Sequence, residues 1–486
     1  MTLLPESVAM VELAASYVAG KWVSDAHAGT LDVTSPTTGE LLGTMGVADR
    51  GEVDSAVAAA RGALQSWGRV SAVDRGAALG RLADALSARK GELADLTTAE
   101  IGSPRSWSTF GQVITAVGVL RAYAAITPDY PFSATRPSMT GGTVEVRQLP
   151  VGVVGAIVPW NTPLFIAALK LGPALAAGCT VVLKPAPDAP LEFGVLMEAI
   201  EEAGLPDGVV NVVNGGAATG ETLTEHPGVD KISFTGSTAV GARIAASCGS
   251  RIRRCSTELG GKSAAIVLPD AQLEKTVPGL VAGVMGNNGQ LCAALTRILL
   301  PRSRYDEFVA ALTSVVAGLV VGDPADRATD IGPLINEAAR DRVEGFLRRA
   351  PGEGATVLVG GERPDRPGWF VSPALVAATN DMEIAREEVF GPVAVVIAYD
   401  DTGADDAEAV AIANDSRYGL VGAVWSADEE RAAAVAARLL VGSVAINSTA
   451  VLDFASPFGG FKQSGIGREG GPEGIAGFVE HQAIIR

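Results

Sequence analysis

Between residues 151 and 250, short apolar runs alternate with segments of helical length, and few folds accommodate that alternation. Val151–Val158, Thr180–Leu183, Val209–Val213 and Lys231–Phe234 read as strands, while Leu191–Ala203 and a segment from about Thr238 read as helices. Short strands that are apolar along their whole length are buried on both faces. Separated by helices, they build a largely parallel, twisted sheet with helices on either side, which makes the fold class α/β. The pattern starts again near Ser263, with strands at Ala264–Leu268, Ile298–Leu300 and Pro392–Tyr399 and helices at Tyr305–Val316 and from about Asp405. This is a second α/β unit. A chain of 486 residues is longer than one core serves, so two or three domains are expected.

Outside these units the pattern is different. Residues 53–66 and 75–97 read as helices, and Leu79, Leu82, Leu86 and Leu93 fall on one face of the second, as core. Residues 132–149 are rich in Ser, Thr and Gly, with Val144, Val146 and Leu149 alternating against polar neighbours; a hairpin turning at Thr140-Gly-Gly fits, either as a surface arm or as a plain excursion. The longest apolar stretch, Thr162–Leu183, is interrupted by Lys170 and broken at Gly172-Pro173, so it reads as buried helix, turn and strand rather than a membrane span. The opening Met1–Glu6 lacks the basic start and apolar run of a secretion signal.

A net charge of -17 disfavours general binding to nucleic acid or to an anionic membrane. Four cysteines (Cys179, Cys248, Cys255 and Cys292) with no Cys-x-x-Cys pair suit a reducing cytoplasm. His27, His226 and His481 are far apart, so no metal site is expected.

Four places carry candidate chemistry. Cys292 ends Gly286-Asn-Asn-Gly-Gln-Leu-Cys292, where two glycines and two asparagines relax the chain after the apolar helical segment Val277–Met285. A reactive thiol needs such access and nearby N–H groups, although a buried inert thiol fits the residues as well. Cys179, Cys248 and Cys255 have no comparable loop and read as inert. Glu258, in Cys255-Ser-Thr-Glu-Leu-Gly-Gly261, stands where a carboxylate can enter a cleft between the two units. Gly236-Ser237 and Gly241 follow a strand and open a helix, a context that suits a phosphate or mere strand–helix packing. It is neither a Gly-x-Gly-x-x-Gly fingerprint nor a P-loop. Lys184 closes the strand Thr180–Leu183, facing the crevice where a parallel sheet takes its ligand, or else the solvent.

Seven blocks in register resemble the aldehyde dehydrogenase superfamily over nearly the whole chain. They are Pro159-Trp160-Asn161, Lys184-Pro185, Phe234-Thr-Gly-Ser-Thr238, Glu258-Leu-Gly-Gly261, Gly289-Gln-Leu-Cys292, Glu387-Glu-Val-Phe-Gly-Pro392 and Ser456-Pro-Phe-Gly-Gly460. The resemblance implies a cysteine nucleophile at Cys292, an oxyanion site made by the Asn161 amide and the Cys292 N–H, and water activation by Glu258. It implies that Glu388 holds the nicotinamide ribose and Lys184 the adenosine ribose. Trp160 and Ser237 would contact the cofactor, Ser237 near the pyrophosphate, and Phe390 would lie near the nicotinamide. It further implies a cofactor domain (1–131 and 151–260), a catalytic domain (261–446), a returning substrate loop (447–470) and a bridging element (132–150 and 471–486) that makes a dimer or tetramer.

Departures from the family bear on substrate and cofactor. Thr162, Leu169 and Gly286 stand where some relatives carry aromatics. Leu291 and Ala293 flank the nucleophile, and Ala450, Leu452 and Phe458 belong to the substrate loop. The expectation is an apolar, open pocket for a medium-chain or aromatic aldehyde, with no charged clamp. Three positions after Lys184, where NAD-selective relatives carry an acid, stands Pro187, followed by Asp188; no arginine stands beside this loop in the sequence. NAD is expected as cofactor, with NADP also accepted. A coenzyme A-acylating relative would commonly lack the glutamate at Glu258, and a non-catalytic homologue would lose Cys292 or Glu258; both residues are present.

Overall fold

The computed structural model describes residues 11–23 and 28–486. The opening Met1–Glu6 and His27 lie outside the described residues.

Two sheets organise the molecule. The first has eight strands, in the order Gly465–Ile466, Arg254–Glu258, Lys231–Thr235, Val153–Ile157, Thr180–Lys184, Val210–Val213, Ser16–Val18 and Lys21–Val23. Its five middle strands are parallel. Antiparallel strands close both edges. From Val153–Ile157 the chain builds outward through Thr180–Lys184 to Val210–Val213, then returns to add Lys231–Thr235 on the other side. That reversal is a topological switch point, and the strand ends around it open a crevice.

The second sheet has seven strands, in the order Thr356–Val359, Ala374–Ala377, Val393–Tyr399, Arg297–Pro301, Ala264–Val267, Val421–Trp425 and Ser443–Ile446. All pair in parallel except the first two. The chain passes between the sheets through Leu259–Ser263, so Glu258 is the last residue of one sheet's strand and Ala264 the first of the other's. A separate three-stranded antiparallel sheet joins Ser133–Pro137, Thr143–Pro150 and Val479–Ile485. Its first two strands form the expected hairpin, turning at Gly141 and Gly142, both at positive φ (+94° and +82°).

The strands expected from the sequence are present, but two helical expectations need correction. The helix expected over 75–97 is two, Ala72–Ala88 and Lys90–Ile101, which meet at Arg89. Leu79, Leu82, Leu86 and Leu93 are nonetheless core on both sides of the joint. Gly172 and Pro173 do not break the apolar stretch: helix Pro163–Ala177 runs through them and stops at Gly178 in a left-handed turn. A Cβ at Gly172 would run into the Tyr123 ring, so this glycine serves helix packing rather than a turn.

The helical run 105–129, among the described residues, has the length and apolarity of a membrane span. Its Val113, Val117, Leu120 and Tyr123 are buried in the core beside the first sheet. Within that run, Ser108–Ile114 is wound as a π-helix.

Candidate active site

The switch point gathers the first set of residues. Trp160 and Asn161 follow strand Val153–Ile157, Lys184 ends the neighbouring strand, and Gly236-Ser237 follow Lys231–Thr235. Ser237 caps helix Thr238–Ser250, its hydroxyl accepting from the Val240 N–H at 3.4 Å, so the helix N-terminus faces the crevice. Trp160, Lys184, Gly236 and Ser237 border one cavity of about 570 Å3. Gly241 is not among them; a Cβ there would strike Leu259, so its role is close helix–strand packing. Lys184 is buried, which lowers its amine to about 8 against the upward pull of Asp188. Asp188 borders the same cavity and accepts from Asn336 Nδ2 at 3.0 Å. The sequence shows no arginine near Lys184, but the fold supplies one. Arg243, in the second turn of the capped helix, borders the cavity opposite Glu221, 4.0 Å from its carboxylate.

The Leu259–Ser263 crossing gathers the second set. Glu258 is 4% exposed, and neither carboxylate oxygen has a hydrogen-bond partner. Burial and the neighbouring Glu469 hold its pKa well above the ordinary carboxylate range, against the pull of Lys170 and Arg468. Lys170 and Glu469 form a fully buried ion pair at 2.7 Å. Sequence reading noted Lys170 only as an interruption of an apolar stretch. A lysine inside such a stretch is itself the signal of a buried partner, while nothing marked Glu469.

Glu388 reaches the same crossing. It accepts from the Gly261 N–H at 3.0 Å, and a Cβ at Gly260 would displace its carboxylate. A Cβ at Gly261 would strike the Cys292 carbonyl, so the two glycines let a carboxylate and the cysteine segment approach one backbone turn. Phe390 sits edge-on to Trp160, ring centroids 5.6 Å apart, with φ at +64°. A bulky residue in the left-handed region is costly and persists where its surroundings dictate it.

The approach to Cys292 is rigid, contrary to the relaxed segment expected. Asn287 and Asn288 are left-handed (φ +51° and +59°) and buried. Asn288 Nδ2 donates to the carbonyls of Gly102 and Pro333, both at 2.9 Å, and its Oδ1 accepts from the Gly332 N–H at 2.7 Å. Asn287 and Gln112 both donate to the Asn161 carbonyl, at 2.8 and 2.9 Å. Asn161 Nδ2 donates to the Gln290 carbonyl at 2.8 Å, joining the two halves of the site. Burial, reinforced by the charges of Glu388 and Glu258, pushes the Cys292 thiol up to about 12.

The expected substrate residues divide. Ala293, Leu452 and Phe458 gather with Cys292 in one apolar cluster. Thr162 is buried at the start of helix Pro163–Ala177, Leu169 is wholly inside the first core, and Ala450 is exposed. Gly286 does not leave open room as expected: a Cβ there would stand 3.2 Å from the Trp107 ring and 3.6 Å from Leu291 Cδ1. Cys255 also departs from expectation. It is partly exposed, and a hydrogen bond from Cys248, helped by Lys231, holds its thiol below the usual range.

A profile described as "Aldehyde dehydrogenase family" matches residues 22–484. The chain belongs to that family. Geranial dehydrogenase from Castellaniella defragrans is 44% identical over 471 residues, 96% of this chain and 98% of that protein. The 3-succinoylsemialdehyde-pyridine dehydrogenase of a Pseudomonas species is 41% identical over 96% of this chain and 98% of its own length. The crystal structure of a Mycobacterium tuberculosis aldehyde dehydrogenase with NAD+ superposes with a TM-score of 0.95 at 42% identity, covering 98% of this chain and 99% of that one. This aldehyde dehydrogenase is therefore an NAD(P)-dependent, non-acylating oxidoreductase that converts an aldehyde to a carboxylic acid through a cysteine thioester, and NAD is its cofactor. Its residues fit that cofactor: a helix N-terminus and Lys184 border a cavity of suitable size, and the half-buried Glu388 carboxylate stands at the crossing.

Proposed function

We propose that Cys292 attacks the aldehyde carbon and that Glu258 activates the water that releases the acid. The observation that carries this reading is the crossing itself, where Glu258, Glu388 and the Cys292 segment share one glycine turn. Asn161 supplies a side-chain N–H to the oxyanion, held in place by Gln112, Asn287 and Gln290. When bound, NAD would supply the hydride acceptor and a positive charge to oppose the carboxylates of Glu388 and Glu258, which keep the thiol protonated. Lys184 and Glu388 anchor the two riboses, Ser237 the pyrophosphate, and Trp160 with Phe390 the nicotinamide side. Glu258, buried and without a hydrogen-bond partner, takes the proton from water only once ionised.

Ala293, Leu452 and Phe458, with Leu291 beside the nucleophile, favour an apolar aldehyde of medium chain length, in keeping with the geranial-oxidising relative. Asp188 beside Lys184 favours NAD, with NADP accepted more weakly. We assign 1–131 and 151–260 to the cofactor, 261–446 to catalysis and 447–470 to the substrate loop. The arm at 132–150 and 471–486, whose strand Ser133–Pro137 is exposed throughout, joins copies into a dimer or tetramer in the cytoplasm.

Single-turnover kinetics test the roles. Cys292→Ala should form no reduced cofactor yet still bind NAD. Glu258→Gln should give a burst of reduced cofactor followed by very slow turnover. A Cys292→Ala variant that turns over refutes the nucleophile. A Glu258→Gln first turnover as slow as its steady state refutes the division of labour.

A further inference from the structure

We propose that Trp107 is a specificity-determining wall of the aldehyde path, held in a slot made by two glycines and selecting linear over branched tails. Trp107 closes the short helix Arg105–Trp107, just before the π-helical turns of Ser108–Ile114. π-helical turns recur at functional sites. Arg105 anchors this end of the run, its Nε 2.6 Å from Asp95 and its N–H on the Pro324 carbonyl at 2.8 Å.

The indole fills space that two glycines vacate. A Cβ at Gly111 would lie 2.5 Å from Trp107 Cε2 and 2.8 Å from Nε1. On the other side, a Cβ at Gly286 would lie 3.2 Å from Cζ3. The indole N–H is buried without a partner. Tryptophan N–H groups usually find one, so shape rather than hydrogen bonding keeps the ring here.

The wall reaches the reacting centre through one neighbour. Leu291 Cδ1 lies 3.6 Å from the same empty Cβ position on Gly286, and Leu291 directly precedes Cys292. Trp107, Gly286 and Leu291 are thus contiguous. The indole also borders an apolar groove of about 520 Å3, together with Phe110, Val281, Ala282 and Met285. With the ring in place, a tail passing Leu291 meets a flat aromatic surface. Without it, the path opens into the groove and branched tails gain room.

The inference rests on Cys292 as the point of attack. An active Cys292→Ala would overturn that reading, whereas a Trp107 variant with unchanged selectivity overturns only the wall. The experiment measures kcat and KM of the full-length enzyme for octanal, 3,5,5-trimethylhexanal and propanal, with NADH binding followed by fluorescence. In Trp107→Ala the octanal preference over the branched aldehyde should fall about tenfold, mainly through KM, with the least change for propanal. Trp107→Phe should restore most of the preference. Gly286→Ala presses on the ring and should raise the preference; it decides the matter if Trp107→Ala does not fold. A preference that moves less than about twofold in every folded variant, or a parallel loss for all three aldehydes, overturns the proposal.

Discussion

Replacing Asn161 by alanine tests the oxyanion site with two separable effects. The amide carries two N–H donors, and one is committed to the Gln290 carbonyl at 2.8 Å. The other is the donor proposed for the oxyanion. Removing one such donor costs about 2.7–4 kcal/mol of transition-state stabilisation, a factor of about 100 to 1,000 in rate. Separately, the buried Gln290 carbonyl loses its 2.8 Å donor and keeps only the longer bond from Asn287 Nδ2 at 3.5 Å, which costs stability toward the low end of about 1–3 kcal/mol. The backbone of residue 161 stays fixed, because Gln112 and Asn287 grip its carbonyl rather than its side chain. Stopped-flow absorbance of the reduced cofactor should show the first turnover slowed by that factor with NAD affinity intact, and denaturant titration should show the stability loss alone. A first turnover slowed less than about fivefold in a folded variant would remove Asn161 from the chemistry and leave it a brace between the halves.

Four further outcomes follow from the electrostatics. Glu258 is raised by burial and Glu469 and lowered by Lys170, and only its ionised form is a base, so thioester hydrolysis should rise with pH through a range above ordinary carboxylates. Lys170→Met should move that limb to higher pH and cost about 3–5 kcal/mol of stability by stranding Glu469; an unmoved limb would separate Lys170 from Glu258. Without cofactor at pH 7, iodoacetamide should label Cys255, lowered by Cys248, before Cys292, which sits near 12; peptide mapping that finds Cys292 first would contradict this. Asp188→Ala should narrow the ratio of kcat/KM for NAD over NADP, and adding Arg243→Ala should weaken NADP selectively; an unchanged ratio would clear Asp188.

The parts of this enzyme that were legible in its sequence are those written in local pattern. The parallel strands of both sheets announce themselves as apolar runs, and Gly141-Gly142 marks its hairpin. The family blocks pick out Cys292, Glu258 and Asn161, the residues to which the proposed roles are given. What escaped was tertiary. Arg89 separates two helices whose apolar faces continue one another, so periodicity alone cannot find the joint. Asn287 and Asn288 resemble loop formers, yet their side chains brace the nucleophile segment against Gly102 and Pro333, far away in the chain. Gly286 suggested open space because a sequence records the missing side chain and not the indole that occupies its place.

The strand that closes one edge of the first sheet is Gly465–Ile466, which pairs with Thr257 and Glu258. During synthesis the ribosome delivers Glu258 long before that partner exists. Until residue 466 emerges, the edge of Arg254–Glu258 is bare, and the Leu259 N–H lacks the Ser464 carbonyl that later receives it. Domains generally fold as units in order of emergence, but this half of the molecule waits for the end of its own chain. Nascent chains stalled before that point carry an open strand edge with unpaired backbone N–H and C=O groups, the kind of surface that chaperones shield and aggregates recruit.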